Sequence, residues 1–160
     1  SSLKILLIKR LREYEKKSMK EKNRISVVID TNLFISFLIG KRLKKLKQAL
    51  IHSKVTLIFS EQNILELRFV SQRPKFQRYF NLDDVDELID LIYSIGKIIT
   101  VLSEPGICRD AKDNFLLGLA EEGEVDYLVT SDNDLLVLES YKNTEIINIS
   151  RFEQILNQQS

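Results

Sequence analysis

The sequence predicts a three-layer α/β/α domain, a central parallel sheet with helices on both faces. Three observations carry that expectation. Val27-Val28-Ile29 is an apolar, β-branched run with too few polar alternations to have a wet face, as in a central strand covered on both sides. Runs of this kind alternate along the chain with helical stripes, a beat that implies parallel pairing through right-handed crossovers. A length of 160 residues fills one core and not two.

The first element is a helix over 3–17, with Leu3, Leu6, Leu7, Leu11 and Tyr14 on one stripe. The overall charge of +1 divides unevenly, because residues 1–24 carry +6 and residues 25–160 carry −5. Residues 1–22 therefore read as a basic helical N-terminal extension, dispensable for the fold, and 23–160 as the domain. The extension is a solvated arm, a non-native leader, or an arm that steers nucleic acid, and Met19 is a candidate natural start.

Strand one is 25–30, and Leu33 to Ile39 runs into Gly40. Leu43, Leu46, Ala49 and Leu50 mark a helix whose outer face carries Lys41, Arg42, Lys44, Lys45 and Lys47. Strand two is 55–59. Ser60 caps a helix to about Gln72 with Ile64, Leu65, Phe69 and Val70 as its buried stripe. Asn81 or Asp83 caps the next helix, whose acidic first turn suits its N-terminus and whose Gly96 suits its C-terminus. Strand three is 98–102, a helix follows Asn114 and stops at Gly123, and strand four is Tyr127–Thr130. A short helix reaches about Tyr141, strand five is 145–149, and Ser150 with Glu153 forms the capping box of a final helix.

Composition excludes several classes. Hydrophobic content of 44% with 29% charged residues is that of a soluble globular chain, and no apolar stretch approaches the roughly 20 residues of a membrane span. Leu3 to Leu11 is crossed by Lys4, Lys9 and Arg10 and fails as a secretory signal, so a cytoplasmic protein without membrane partners is expected. Cys108 is the one cysteine, which rules out an internal disulfide and a cysteine-based zinc site. His52 is the one histidine and stands far from any motif. No glycine-rich phosphate loop follows strand one, and an aspartate-nucleophile phosphatase would want an Asp where Asn32 stands.

What remains is acidic. Asp30 and Asp132 end two strands, Asp110 and Asp113 sit at a loop-to-helix junction, and the sequence places no cation to neutralise each of them. Clustered carboxylates repel one another and attract a metal. An oxygen-only donor set is the ligand type of Mg²⁺ or Mn²⁺, which keep several waters and grip substrate phosphates. The chemistry that fits is metal-assisted phosphodiester hydrolysis.

Four stretches carry a family resemblance: Val-Val-Ile-Asp-Thr-Asn at 27–32, Ile-Leu-Glu-Leu at 64–67, Cys-Arg-Asp-Ala-Lys-Asp-Asn at 108–114, and Tyr-Leu-Val-Thr-Ser-Asp-Asn-Asp-Leu-Leu at 127–136. The chain from about Arg24 to Leu156 resembles a PIN domain, in particular the toxin component of bacterial toxin-antitoxin pairs. The resemblance implies strand order 3-2-1-4-5, which sets Asp30 beside Asp132, and a Mg²⁺- or Mn²⁺-dependent ribonuclease silenced by a cognate antitoxin. Carried over residue by residue, Asp30, Glu66, Asp113 and Asp132 form an acidic quartet. Asp30, Asp113 and Asp132 hold the metal, and Glu66 completes the pocket and orients a water. Asn32 and Ser131 are polar supports, with Asp110 and Asp134 as outer carboxylates.

Each residue also has a plainer role. Asp30 is a strand-end cap, Asn32 an N-cap, Asp110 a cap or surface acid, and Asp134 a first-turn helix acid. Glu66 pairs with Arg68 or Lys75. The Lys41–Lys47 cluster is a solvated face, or else it binds phosphates, with Arg42, Lys45, Arg109 and Lys112 as candidate RNA contacts. Two other functions fit the same acids: a PIN-like module that binds RNA or a partner without turnover, and a structure-specific DNA nuclease or phosphatase. A homo-oligomer is compatible with all of them.

Overall fold

The computed structural model describes residues 2–22 and 24–159, with the backbone alone for 16–22. The side chain of Met19 and all of Asn23, where the domain was expected to begin, lie outside that description.

Helix α1 (Ser2–Lys22) exposes every described side chain, its leucine stripe included. The domain follows as β1 (Ile25–Ile29), α2 (Thr31–Ile39), α3 (Leu43–His52), β2 (Val55–Phe59), α4 (Glu61–Ser71), α5 (Leu82–Ile95) and β3 (Gly96–Ile98). It continues with α6 (Ala111–Glu122), β4 (Tyr127–Val129), α7 (Asn133–Leu136), β5 (Ser140–Tyr141), β6 (Thr144–Ile147) and α8 (Ile149–Gln158). The sheet has six strands in the order β3-β2-β1-β4-β6-β5, parallel except for β5. The five parallel strands thus take the expected order, with β6 in fifth place.

Alternation along β1 decides the layers. Val27 and Ile29 face a core shared with α2, α3, α4, α5 and α8, while Val28 faces a second core built by α6 and Leu135 of α7. Side chains at the centre of both, such as Leu57, Leu117, Leu128 and Phe152, are at most 1% exposed. Each such burial contributes about 1.5–3 kcal/mol. Helices leave the sheet on one face after β1 and enter β4 from the other. The strands β1 and β4 therefore meet at the topological switch point, where open α/β sheets form their ligand crevice.

Four sequence expectations need correction. Strand three is Gly96–Ile98 rather than 98–102, because Gly96, which closes α5 as expected, also opens the strand. A Cβ there would meet Ile92 O at 2.5 Å and the Phe59 ring at 2.6 Å, so only glycine allows this approach to β2. The short helix ends at Leu136, not near Tyr141, and β5 pairs back on β6 through Lys142, which is left-handed (φ 54°). On α4 the buried apolar residues are Ile64, Leu67 and Val70, whereas Leu65 and Phe69 point outward. Helix α8 is capped by Asn148, whose side chain accepts from Arg151 N at 2.9 Å, and not by Ser150.

Candidate active site

Parallel pairing brings Ile29 level with Val129, and the next residue of each strand reaches the rim of the sheet. Asp30 follows β1 and is 7% exposed; Thr130 follows β4 and is fully buried. The Thr130 hydroxyl donates to Asp30 Oδ2 at 2.8 Å and accepts from the Asp132 amide at 3.0 Å. One threonine therefore ties the two strand-end acids together. Ser131, expected as a polar support, is exposed and lies outside the cleft. A threonine at a strand end is an ordinary β-former, and only its position opposite Asp30 marks it.

Three of the acids are also helix caps. Asp30 Oδ1 accepts from Asn32 N at 3.1 Å, Asp110 Oδ1 from Lys112 N at 2.9 Å, and Asp132 Oδ1 from Asp134 N at 2.9 Å. The positive ends of α2, α6 and α7 thereby face the acidic cleft and offset some of its charge. Asn32 is not an N-cap, since its own amide is the group being capped; its exposed side chain stays at the cleft rim.

Asp113 comes from the first turn of α6 and is 3% exposed, with Oδ2 buried and without a hydrogen-bond partner. A buried carboxylate oxygen left unsatisfied is costly, and a cation would satisfy it. One oxygen each from Asp113, Asp132 and Asp134 lies within 4.8 Å of the other two. The small pocket among the acids, about 30 Å³, is lined by Asp30, Glu66, Asp110, Lys112, Asp113 and Asp132.

Crowding shows in the titration of the group. Burial chiefly, then the charge of Asp132 and a hydrogen bond with it, push the Asp113 carboxyl from 3.8 up to about 7. Burial also raises the Asp30 carboxyl, against the hydrogen bonds from Asn32 and Thr130 that lower it. Burial and the surrounding acids push up the Cys108 thiol too, so it is no thiolate nucleophile. The Asn114 side chain clamps the Cys108 backbone, accepting from its N–H at 2.9 Å and donating to its C=O at 3.0 Å, and so fixes the loop that leads to Asp110.

The cations fall differently from the sequence expectation. Glu66 pairs with Lys112 at 3.0 Å, not with Arg68 or Lys75, and Arg68 pairs with Asp86. Arg109 grips both oxygens of Asp134 at 3.0 Å, so Asp134 is more than a first-turn acid. Arg42 stacks over the Phe37 ring, and with Lys45 it lines a groove beside α8 that shares no residue with the acidic pocket. Of the four candidate RNA contacts, Lys112 lines the acidic pocket and Arg109 pairs with Asp134, one of the clustered acids.

Residues 26–134 match the family model described as PIN domain. The chain belongs to the PIN domain family. Such domains are in general nucleases that bind a divalent metal, and the oxygen-only cluster with its unsatisfied Asp113 oxygen fits that group. The uncharacterized protein MJ1680 of Methanocaldococcus jannaschii is 32% identical over 133 residues, covering 81% of this chain and 85% of its own length. The crystal structure of PAE2754 from Pyrobaculum aerophilum superposes with a TM-score of 0.53 at 16% identity, covering 84% of this chain and 97% of that one, and bears on the fold alone. No described helix of this PIN domain is long and apolar enough to cross a membrane.

Proposed function

We propose that this PIN domain is a Mg²⁺- or Mn²⁺-dependent endoribonuclease, the toxin of a toxin-antitoxin pair. The observation that supports it most is the Asp113 Oδ2 oxygen, buried without a hydrogen-bond partner beside Asp132 and Asp134. Asp30, Asp113 and Asp132 would hold the ion, with Asp134 near enough to join them and Asp110 as an outer acid. A bound divalent ion lowers the pKa of a coordinated water and offsets charge building on the scissile phosphate.

The chain's own residues supply the rest. Thr130 holds Asp30 and the backbone of Asp132 in register, and the α2 and α7 caps fix one oxygen of each. Glu66, across the pocket on α4, accepts a proton from the attacking water or orients it, and Asn32 lies at the rim for a substrate hydroxyl. Lys112 and Arg109 are the cations beside this cleft that a phosphate chain would meet. A basic α1 adds attraction for the same polyanion. The toxin assignment rests on the resemblance of the four motifs, and it implies a small antitoxin protein as partner and the cytoplasm as the place of action.

A labelled RNA, its 2′-deoxy equivalent and a phosphomonoester, each incubated with the protein and Mn²⁺, test the substrate. Internal cleavage of the RNA alone is the expected outcome. Cleavage confined to the deoxy strand, or release of phosphate from the monoester alone, would replace the ribonuclease by a DNA nuclease or a phosphatase.

A further inference from the structure

Among the described residues, Lys112 makes the one ion pair to any member of the quartet Asp30, Glu66, Asp113 and Asp132. Its ammonium stands 3.0 Å from Glu66 Oε1, at the α4 side of the pocket. The clustered oxygens of Asp113, Asp132 and Asp134 come instead from α6 and the segment after β4. The cleft is thus divided: one part has carboxylate oxygens and an unsatisfied buried acceptor, the other has a carboxylate already matched by a cation of the chain. Nucleases that use two divalent ions set them about 3.5–4 Å apart, bridged by shared carboxylates. A second ion near Glu66 would have to displace the ammonium that stands 3.0 Å from its Oε1.

We propose that this site takes one divalent cation, bound by the aspartates, and that the Lys112 ammonium occupies the place of a second cation beside Glu66. This rests on the metal-nuclease reading above. Lys112 is held there by its place in the chain: it follows the cap Asp110 by two residues, its own amide is the capped group, and it immediately precedes Asp113. Lys112 then belongs to the charge balance of the cleft, and a phosphate chain meets an ammonium and one ion instead of two ions.

Mn²⁺ binding to the full chain, followed by the electron paramagnetic resonance of the free ion, tests this without reference to turnover. The wild type is expected to bind one Mn²⁺. Lys112→Met and Lys112→Gln, which alter a half-exposed side chain, are expected to bind two, a doubling that Lys112→Arg does not show. Adding Glu66→Gln to Lys112→Met is expected to return the count to one. A wild type that binds two ions, or Lys112 variants that still bind one, overturns the inference. A wild type that binds none overturns both this and the metal reading. RNA cleavage measured in parallel separates the two: a change from one ion to two in a protein that never cleaves RNA leaves the inference standing and removes the ribonuclease.

Discussion

Asp30→Asn and Asp132→Asn are each expected to leave a folded protein whose Mn²⁺-dependent RNA cleavage is slower by on the order of a hundredfold or more. Lost partners of metal ligands already cost about 10–100-fold, and these are the proposed ligands themselves. Asparagine is as good an N-cap as aspartate, so each variant keeps the oxygen that accepts from Asn32 N or Asp134 N and loses the charge, while Asp30→Asn also replaces the acceptor of the Thr130 hydroxyl by a donor. Alanine would remove the cap as well, at about 1 kcal/mol of stability, and so confound the two roles. Cleavage rates with circular dichroism of the same samples decide it. Amide variants that cleave as fast as the wild type would reduce both aspartates to caps.

The second large effect is on stability. Because the Asp113 carboxyl titrates near 7 in the folded protein against 3.8 ordinarily, the native state holds a proton that the unfolded chain has released between those values. Stability must then fall as pH rises from about 4 to about 7, by an amount on the order of a few kcal/mol, with the full penalty present above 7 and none below about 4. In chelator the protein is expected to melt several degrees lower at pH 8 than at pH 5. Asp113→Asn, whose amide can donate to Asp132, should flatten that slope and melt above the wild type at pH 8. A divalent ion that binds only the folded state restores the wild type at pH 8, by roughly 2.7 kcal/mol at a hundredfold excess over its Kd. Melts of the two proteins at both pH values, with and without Mn²⁺, give the answer. A wild-type slope that Asp113→Asn leaves unchanged would place its origin outside this cleft.

Much of the fold was legible because several elements state their own limits. The run Val27 to Ile29 is apolar on both faces and lies at the sheet centre, and α5 opens at the anticipated Asn81, whose side chain accepts from Asp84 N. The acids at 30 and 132 could be placed together once their strands were adjacent. Less was legible where two signals compete. Helix α4 has apolar residues on two faces, so its period does not say whether Leu65 and Phe69 or Leu67 turns inward; packing against the sheet selects Leu67. Strand β5 has two residues and a left-handed lysine in place of a turn glycine, which leaves no local mark. The pairs Glu66–Lys112, Arg109–Asp134 and Asp30–Thr130 join residues 25 to 100 positions apart, and nothing local records such contacts.

The most direct test of a metal-dependent ribonuclease is cleavage of a generic RNA by one protein sample, first stripped with chelator and then titrated with Mn²⁺ or Mg²⁺. The account predicts no cleavage in the stripped sample and internal cleavage that returns and saturates as the ion is added. Cleavage in the stripped sample at the rate of the metal-loaded one would contradict it.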